Sequence, residues 1–215
     1  MSRWPLYILI PLLIGCSDSK MEFEGVSDYL AWNRNADYGL VKIKEINGFK
    51  VSARYLHPEY LALKECRIPS PAEYDSLLAL YHDTYTFLLN IGPDHLSSGD
   101  VMSASVSNYD EYQQLFHILN FQMDQLITLS SGNVENPPLN FSMENTYGLT
   151  DDRNIYLVFT REESSLEAPV TLSFNAAIFG LGICNFQFDP EPLNHSINFR
   201  ILNKTDKDHE AELET

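Results

Sequence analysis

Basic residues are scarce in this chain: 14 Lys and Arg stand against 30 Asp and Glu, a formal net charge of -16 over 215 residues. A nucleic-acid binder needs cations to neutralise phosphates, so this balance argues against that class. It also argues against adhesion to an anionic bilayer through the protein surface itself. There are three cysteines, Cys16, Cys66 and Cys184. Reactive signatures are missing as well. None of the six histidines forms the H-E-x-x-H or Cys-His spacing that places two metal ligands on one face. No G-x-S-x-G elbow, S-x-x-K, G-x-G-x-x-G or Walker loop occurs. No catalytic residue, cofactor or metal is therefore expected. Carboxylate pairs of the glycosidase type are the remaining enzymatic alternative, with Asp189 and Glu191, or Asp151 and Asp152, as the candidates. Among thirty acids, neighbouring pairs arise by chance, and Pro190 and Pro192 make the DPEP stretch read as a turn.

The chain does have an apolar opening, MSRWPLYILIPLLIGC, with Arg3 as its single ionisable side chain before Cys16. The run from Trp4 to Ile14 falls short of the roughly 20 apolar residues that span a bilayer, and Pro11 would interrupt its helix. A basic residue followed by a short apolar core is the layout of a secretory signal peptide. Its end, Leu13-Ile14-Gly15-Cys16, resembles a bacterial lipobox. That resemblance implies cleavage before Cys16, acylation of its thiol, and permanent anchoring once two or three fatty-acyl chains are attached. Removing residues 1–15 takes away one Arg and leaves a net charge of -17. Cys66 and Cys184 then remain as the pair available for a disulfide outside the cytoplasm, although each also sits among apolar residues that suit a free thiol. Residues 16–27 read as a lipidated tether. Ser17 after the lipid-bearing Cys favours the outer membrane by enterobacterial sorting rules.

The folded part begins with the hairpin LVKIKEI-NG-FKVSARYL. Its residues alternate with period two, and Asn47-Gly48 supplies the positive-φ pair of a type I′ turn. Two helices follow. In SPAEYDSLLALYH, Ser70 and Glu73 have capping-box spacing and Tyr74, Leu77, Leu78 and Tyr81 form one apolar face. In NYDEYQQLFHILN, Asn108 and Glu111 cap, and Tyr112, Leu115, Phe116 and Leu119 repeat the stripe. Each helix leads into a strand, TYTFLLNI and MDQLITLS. Beyond Pro137 come LNFSMEN, NIYLVFT, VTLSFNA, CNFQFD and SINFRIL, separated by turn-rich stretches. The plan is an α+β domain over residues 28–203, with a subdivision near 133–137 and a charged tail at 204–215. Two aromatic pairs, Trp32 with Tyr29 and Tyr55 with Tyr60, suit a stacking platform, though aromatics flanking strands are more often core.

The run YGLVKIKEINGFKVSARYLHPEYLALKE resembles the N-terminal pattern of small Bacteroidota-type lipoproteins, which share a GL-x-K start, an NG turn, an x-Y-x-P strand end and an L-x-E close. Here Leu56-His57 intervene between Tyr55 and Pro58, where that pattern is tighter. The resemblance implies an envelope location and brings no catalytic residue. The expected function is a non-catalytic, lipid-anchored outer-membrane lipoprotein, on the periplasmic or cell-surface face. It would serve as an accessory or structural subunit beside a protein partner of the envelope. The alternative is a lipoprotein that captures a glycan or peptide in an aromatic-lined pocket of about 300 Å³ or more.

Overall fold

The computed structural model describes residues 20–67, 70–94, 99–162 and 166–203. The lipobox with Cys16, His95, and the acidic tail with His209 lie outside these residues.

Among the described residues, eleven strands and six α-helices build an α+β fold in which nine strands form two packed antiparallel sheets and two form a short parallel pair. β2 (Val41–Ile46) and β3 (Phe49–Leu56) form the expected hairpin, and Asn47 at φ 51° and Gly48 at φ 84° make its I′ turn. β3 pairs with β4 (Thr84–Pro93), β4 with β8 (Arg153–Thr160), and β8 with β7 (Asn140–Met143), giving the order β2-β3-β4-β8-β7. The second sheet has the order β10-β9-β5-β6, from β10 (Ile183–Phe188), β9 (Val170–Asn175), β5 (Ile127–Ser131) and β6 (Val134–Asn136). Alternate residues of both sheets meet in one core: Tyr85, Phe87, Leu89 and Ile91 from β4, Ile155, Leu157 and Phe159 from β8, and Leu172, Phe174, Phe186 and Phe188 opposite. Phe87 and Phe188 touch across the layers with ring centroids 5.0 Å apart.

The subdivision near 133–137 is absent. Strands from both sides of that point occur in each sheet, so neither half can close a core alone. The domain also begins earlier than residue 28. β1 (Met21–Phe23) pairs in parallel with β11 (Ile197–Phe199), and Arg200 holds Glu22 and Glu24. What ties residues 21–27 down is the Phe23 ring, packed against Tyr29, Trp32 and Phe199.

On its other face the five-stranded sheet carries a second cluster. Leu56 and Leu88 are covered by α1 (Val26–Asn33), α2 (Pro58–Glu65) and α3 (Pro71–Tyr81). α1 and α2 were not marked by the sequence pattern; each is eight residues long, too short for a clear apolar stripe. α3 is capped by Ser70, whose hydroxyl accepts from the Glu73 amide. α4 (Val101–Ala104) and α5 (Tyr109–Phe121) close the sandwich edge beside β7, and α6 (Pro190–Leu193) replaces the DPEP turn. Strand β2 is inverted relative to its alternation: Val41 and Ile43 face outward, while Lys42 and Lys44 lie over the Phe188 and Phe186 rings at 5.9 and 6.0 Å. Lysine stems can cover an apolar edge and still reach water, which makes this orientation tolerable on an edge strand.

Candidate functional site

Helix α5 starts on a reciprocal cap. Asn108 Oδ1 accepts from the Glu111 amide at 3.0 Å, and Glu111 Oε2 accepts from the Ser107 amide at 2.7 Å. Leu115 and Leu119 enter the sandwich core. The expected four-point stripe is therefore half as wide as its periodicity implies. Phe116 is 45% exposed, Tyr112 is only partly buried, and Tyr109 stacks on Tyr112 with planes 8° apart. Positions 109, 112 and 116 share one side of the helix; Tyr112, which also packs against the core, and Phe116 line a cleft there, with Tyr109 outside it.

The opposite wall is the β7–β8 connection. Thr146 to Leu149 form a tight turn in which the Leu149 amide donates to the Thr146 carbonyl at 2.9 Å. Tyr147 sits at φ 50° and Gly148 at φ 73°. Glycine adopts this left-handed backbone freely, but an aromatic residue there costs about 1 kcal/mol. Asn145 Oδ1 accepts from the Tyr147 amide at 3.1 Å and holds the conformation. The result is a Tyr147 side chain 84% exposed at the mouth of the cleft.

Between these walls lies a cavity of about 310 Å³, lined by Tyr112, Phe116 and Tyr147 with the polar Asn120, Asn145 and Thr146 and the carboxylate of Glu144. Its base is anchored by Arg153. The guanidinium bonds Asp100 at 2.5 Å and the carbonyls of Thr150 and Asp152 at 3.0 and 2.8 Å, tying the turn to the start of α4. Asn120 donates to the Phe116 carbonyl at 2.8 Å, which orients its amide. Aromatic faces ringed by amides and hydroxyls suit the two-sided chemistry of a sugar, whose C–H faces stack while its hydroxyls hydrogen-bond.

The aromatic pairs singled out by sequence lie elsewhere. Tyr29 and Tyr55 are fully buried, and Tyr60 nearly so, stacked on Tyr29 at 4.7 Å. Burial raises the Tyr29 and Tyr55 phenols well above their ordinary value. Cys66 and Cys184 do not form the bridge considered above. Both thiols are free, Cys184 inside the sandwich and Cys66 beside the helical cluster on the far face of the sheet, and burial pushes both upward. Asp189 precedes α6 and, like Glu191, is exposed. Asp151 gives its carbonyl to Val101, whereas Asp152 accepts from the Asn90 amide. Neither acid pair lines the cleft. His82 ends α3 against Asp83, and His117 packs its ring on Phe121 along α5. Among the described residues no group of three His, Cys, Asp or Glu side chains is placed to hold a metal ion, and no helix is long and apolar enough to cross a membrane.

The helical stripe places Tyr112 and Phe116 in the core; Tyr112 does pack against it while also lining the cleft, whereas Phe116 is largely exposed there. The available signal was the pair of aromatics at helical spacing with Tyr109, but periodicity alone cannot tell a buried stripe from one facing a cleft. Compared with known proteins, the chain matches no family model, no curated protein and no solved structure.

Proposed function

We propose that this chain is a non-catalytic lipoprotein, anchored to the outer membrane through Cys16, that captures a glycan in the cleft between α5 and the β7–β8 turn. The single observation that carries the reading is Tyr147, a large aromatic side chain held at positive φ and presented to solvent opposite Phe116. A backbone cost retained at an exposed residue points to use of that side chain. The cavity volume falls at the lower end of the small-ligand range, enough for one or two sugar rings.

Affinity electrophoresis of the full chain through gels containing soluble polysaccharides tests the proposal. Retardation by at least one polysaccharide, lost in Tyr147→Gly and Phe116→Ala, is the expected result. Equal migration of parent and both variants in every gel would overturn it.

A second reading, an accessory subunit of an envelope assembly, draws on the apolar side chains exposed beyond the cleft, Tyr109, Phe121 and Leu149. Site-specific photocrosslinking from position 121 in intact envelopes separates the two. A single protein adduct favours the subunit, and its absence with glycan retardation favours capture.

A further inference from the structure

The outward face of the five-stranded sheet is only partly roofed. Helices α1, α2 and α3 cover the region around Leu56 and Leu88, and beyond them the sheet opens into a groove of about 250 Å³. The pairing register lays out its floor. Arg54 stands between Val41 and Leu88, and in the next row Ser52, Asn90 and Asn154 follow Ile43. Arg34, the residue that ends α1, and Lys50 complete the wall. No lining residue is acidic, although the chain carries thirty carboxylates.

The other arginines with described side-chain contacts are treated differently. Arg153 is bound to Asp100, Arg200 to both Glu22 and Glu24, and Arg161 lies over the Tyr85 ring and donates to Asn194. Arg54 is half-buried, and the side chains that act most on its charge are Arg34 and the phenols of Tyr60, Tyr29 and Tyr156. Desolvation first, and then the like charge of Arg34, both disfavour its cation. Lys50 has Glu45 as its cross-strand neighbour, so the uncompensated charge belongs to the two guanidinium groups. Among the described residues neither guanidinium is paired with a carboxylate, and two forked cations so placed match a dianionic phosphate in both charge and geometry. The groove beside them is polar. Asn90 donates to Asp152 Oδ2 at 2.5 Å and to Asn154 Oδ1 at 2.9 Å, and Asn154 donates to Glu144 Oε2 at 2.7 Å, so two carboxylates outside the lining hold the floor's amide row in order and leave the Asn90 carbonyl oxygen to accept from a hydroxyl group.

We infer that this groove is a second ligand site, distinct from the aromatic cleft, that takes a small phosphomonoester with a hydroxylated body. The phosphate sits between Arg34 and Arg54, and the body lies along Ser52, Asn90 and Asn154. Bound phosphate would place a dianion where the fold now holds two like charges together.

Isothermal titration of the full chain in a nonionic, sugar-free detergent tests the inference, with glucose 6-phosphate, glucose and glucuronate as probes. Glucose 6-phosphate is expected to bind at least about tenfold more tightly than glucose, as two charge-assisted contacts require, and to weaken as salt is raised. Arg54→Gln and Arg34→Gln should each reduce that affinity about tenfold or more. Arg34 is exposed, so its variant keeps the fold even if the half-buried site at Arg54 does not tolerate replacement. Tyr147→Gly should leave the phosphate response intact, which separates this site from the cleft. Equal affinity for glucose and glucose 6-phosphate, or an Arg34→Gln chain that binds like the parent, would overturn the site. Tighter binding of glucuronate would overturn its assignment to phosphomonoesters.

Discussion

Tyr29 and His57 exchange two hydrogen bonds in the interior: the His57 amide donates to the Tyr29 hydroxyl at 3.1 Å, and that hydroxyl donates to His57 Nδ1 at 3.1 Å. Nε2–H then donates to the Pro192 carbonyl, also at 3.1 Å. The ring is thereby neutral, with its proton on Nε2 and every polar atom of the ring satisfied. It ties α1, the start of α2 and α6 together across 135 residues of chain.

Burial lowers the His57 pKa to about 3, against the donor role toward Pro192. The unfolded chain protonates this ring near pH 6.5 while the native state does not, so the native state binds fewer protons as the pH falls. The stabilising contribution is complete above about pH 6.5 and is lost as the pH falls toward about 3, with a slope of about 1.4 kcal/mol per pH unit. Urea titrations between pH 7 and pH 4 should show this slope, and His57→Leu should remove it while lowering stability at pH 7 by about 3 kcal/mol. A parent chain equally stable at both ends of that range would refute the assignment.

Tyr147 offers a test of function against stability. Tyr147→Gly relieves the left-handed backbone and should raise the unfolding free energy by up to about 1 kcal/mol. The same change removes one aromatic wall of the cleft and should abolish retention on polysaccharide. A variant that is destabilised would mean that Tyr147 is held for packing.

Asp100→Ala breaks the ion pair with Arg153, whose side chain is only 9% exposed, and removes the cap that accepts from the Met102 amide at 2.7 Å. Leaving that guanidinium without its carboxylate should cost about 3 kcal/mol. Because Arg153 also holds the Thr150 and Asp152 carbonyls, hydrogen exchange in residues 144–152 should speed up more than in β3. Uniform acceleration across the chain would count against a local anchoring role.

Cys184 lies wholly inside the sandwich, whereas Cys66 ends α2 at partial exposure. In a Cys16→Ser chain, one thiol should react with a bulky disulfide reagent under native conditions and two after denaturation. No native reaction, with two thiols appearing only after reduction, would indicate a bridge between them.

Several elements are legible in the sequence alone. The Asn47-Gly48 turn, the Ser70 and Asn108 caps, and the alternation of NIYLVFT, VTLSFNA and CNFQFD each depend on interactions within a few residues. Such signals survive in a single sequence. Strand β1 is not legible because its reasons are distant: Phe23 packs on Phe199, and Glu22 meets Arg200. The orientation of β2 was missed for the same reason, since only the Phe186 and Phe188 rings of another sheet explain why its lysines face inward.

Local chemistry alone thus determined the turns, the caps, the strand periods and the acidic balance. Tertiary structure decided which aromatics are core and which line a cleft, and it brought Arg34 and Arg54 to one groove without a carboxylate. Burial and like-charge proximity are properties of contacts between segments far apart in the chain, and no residue carries them in its neighbours along the sequence.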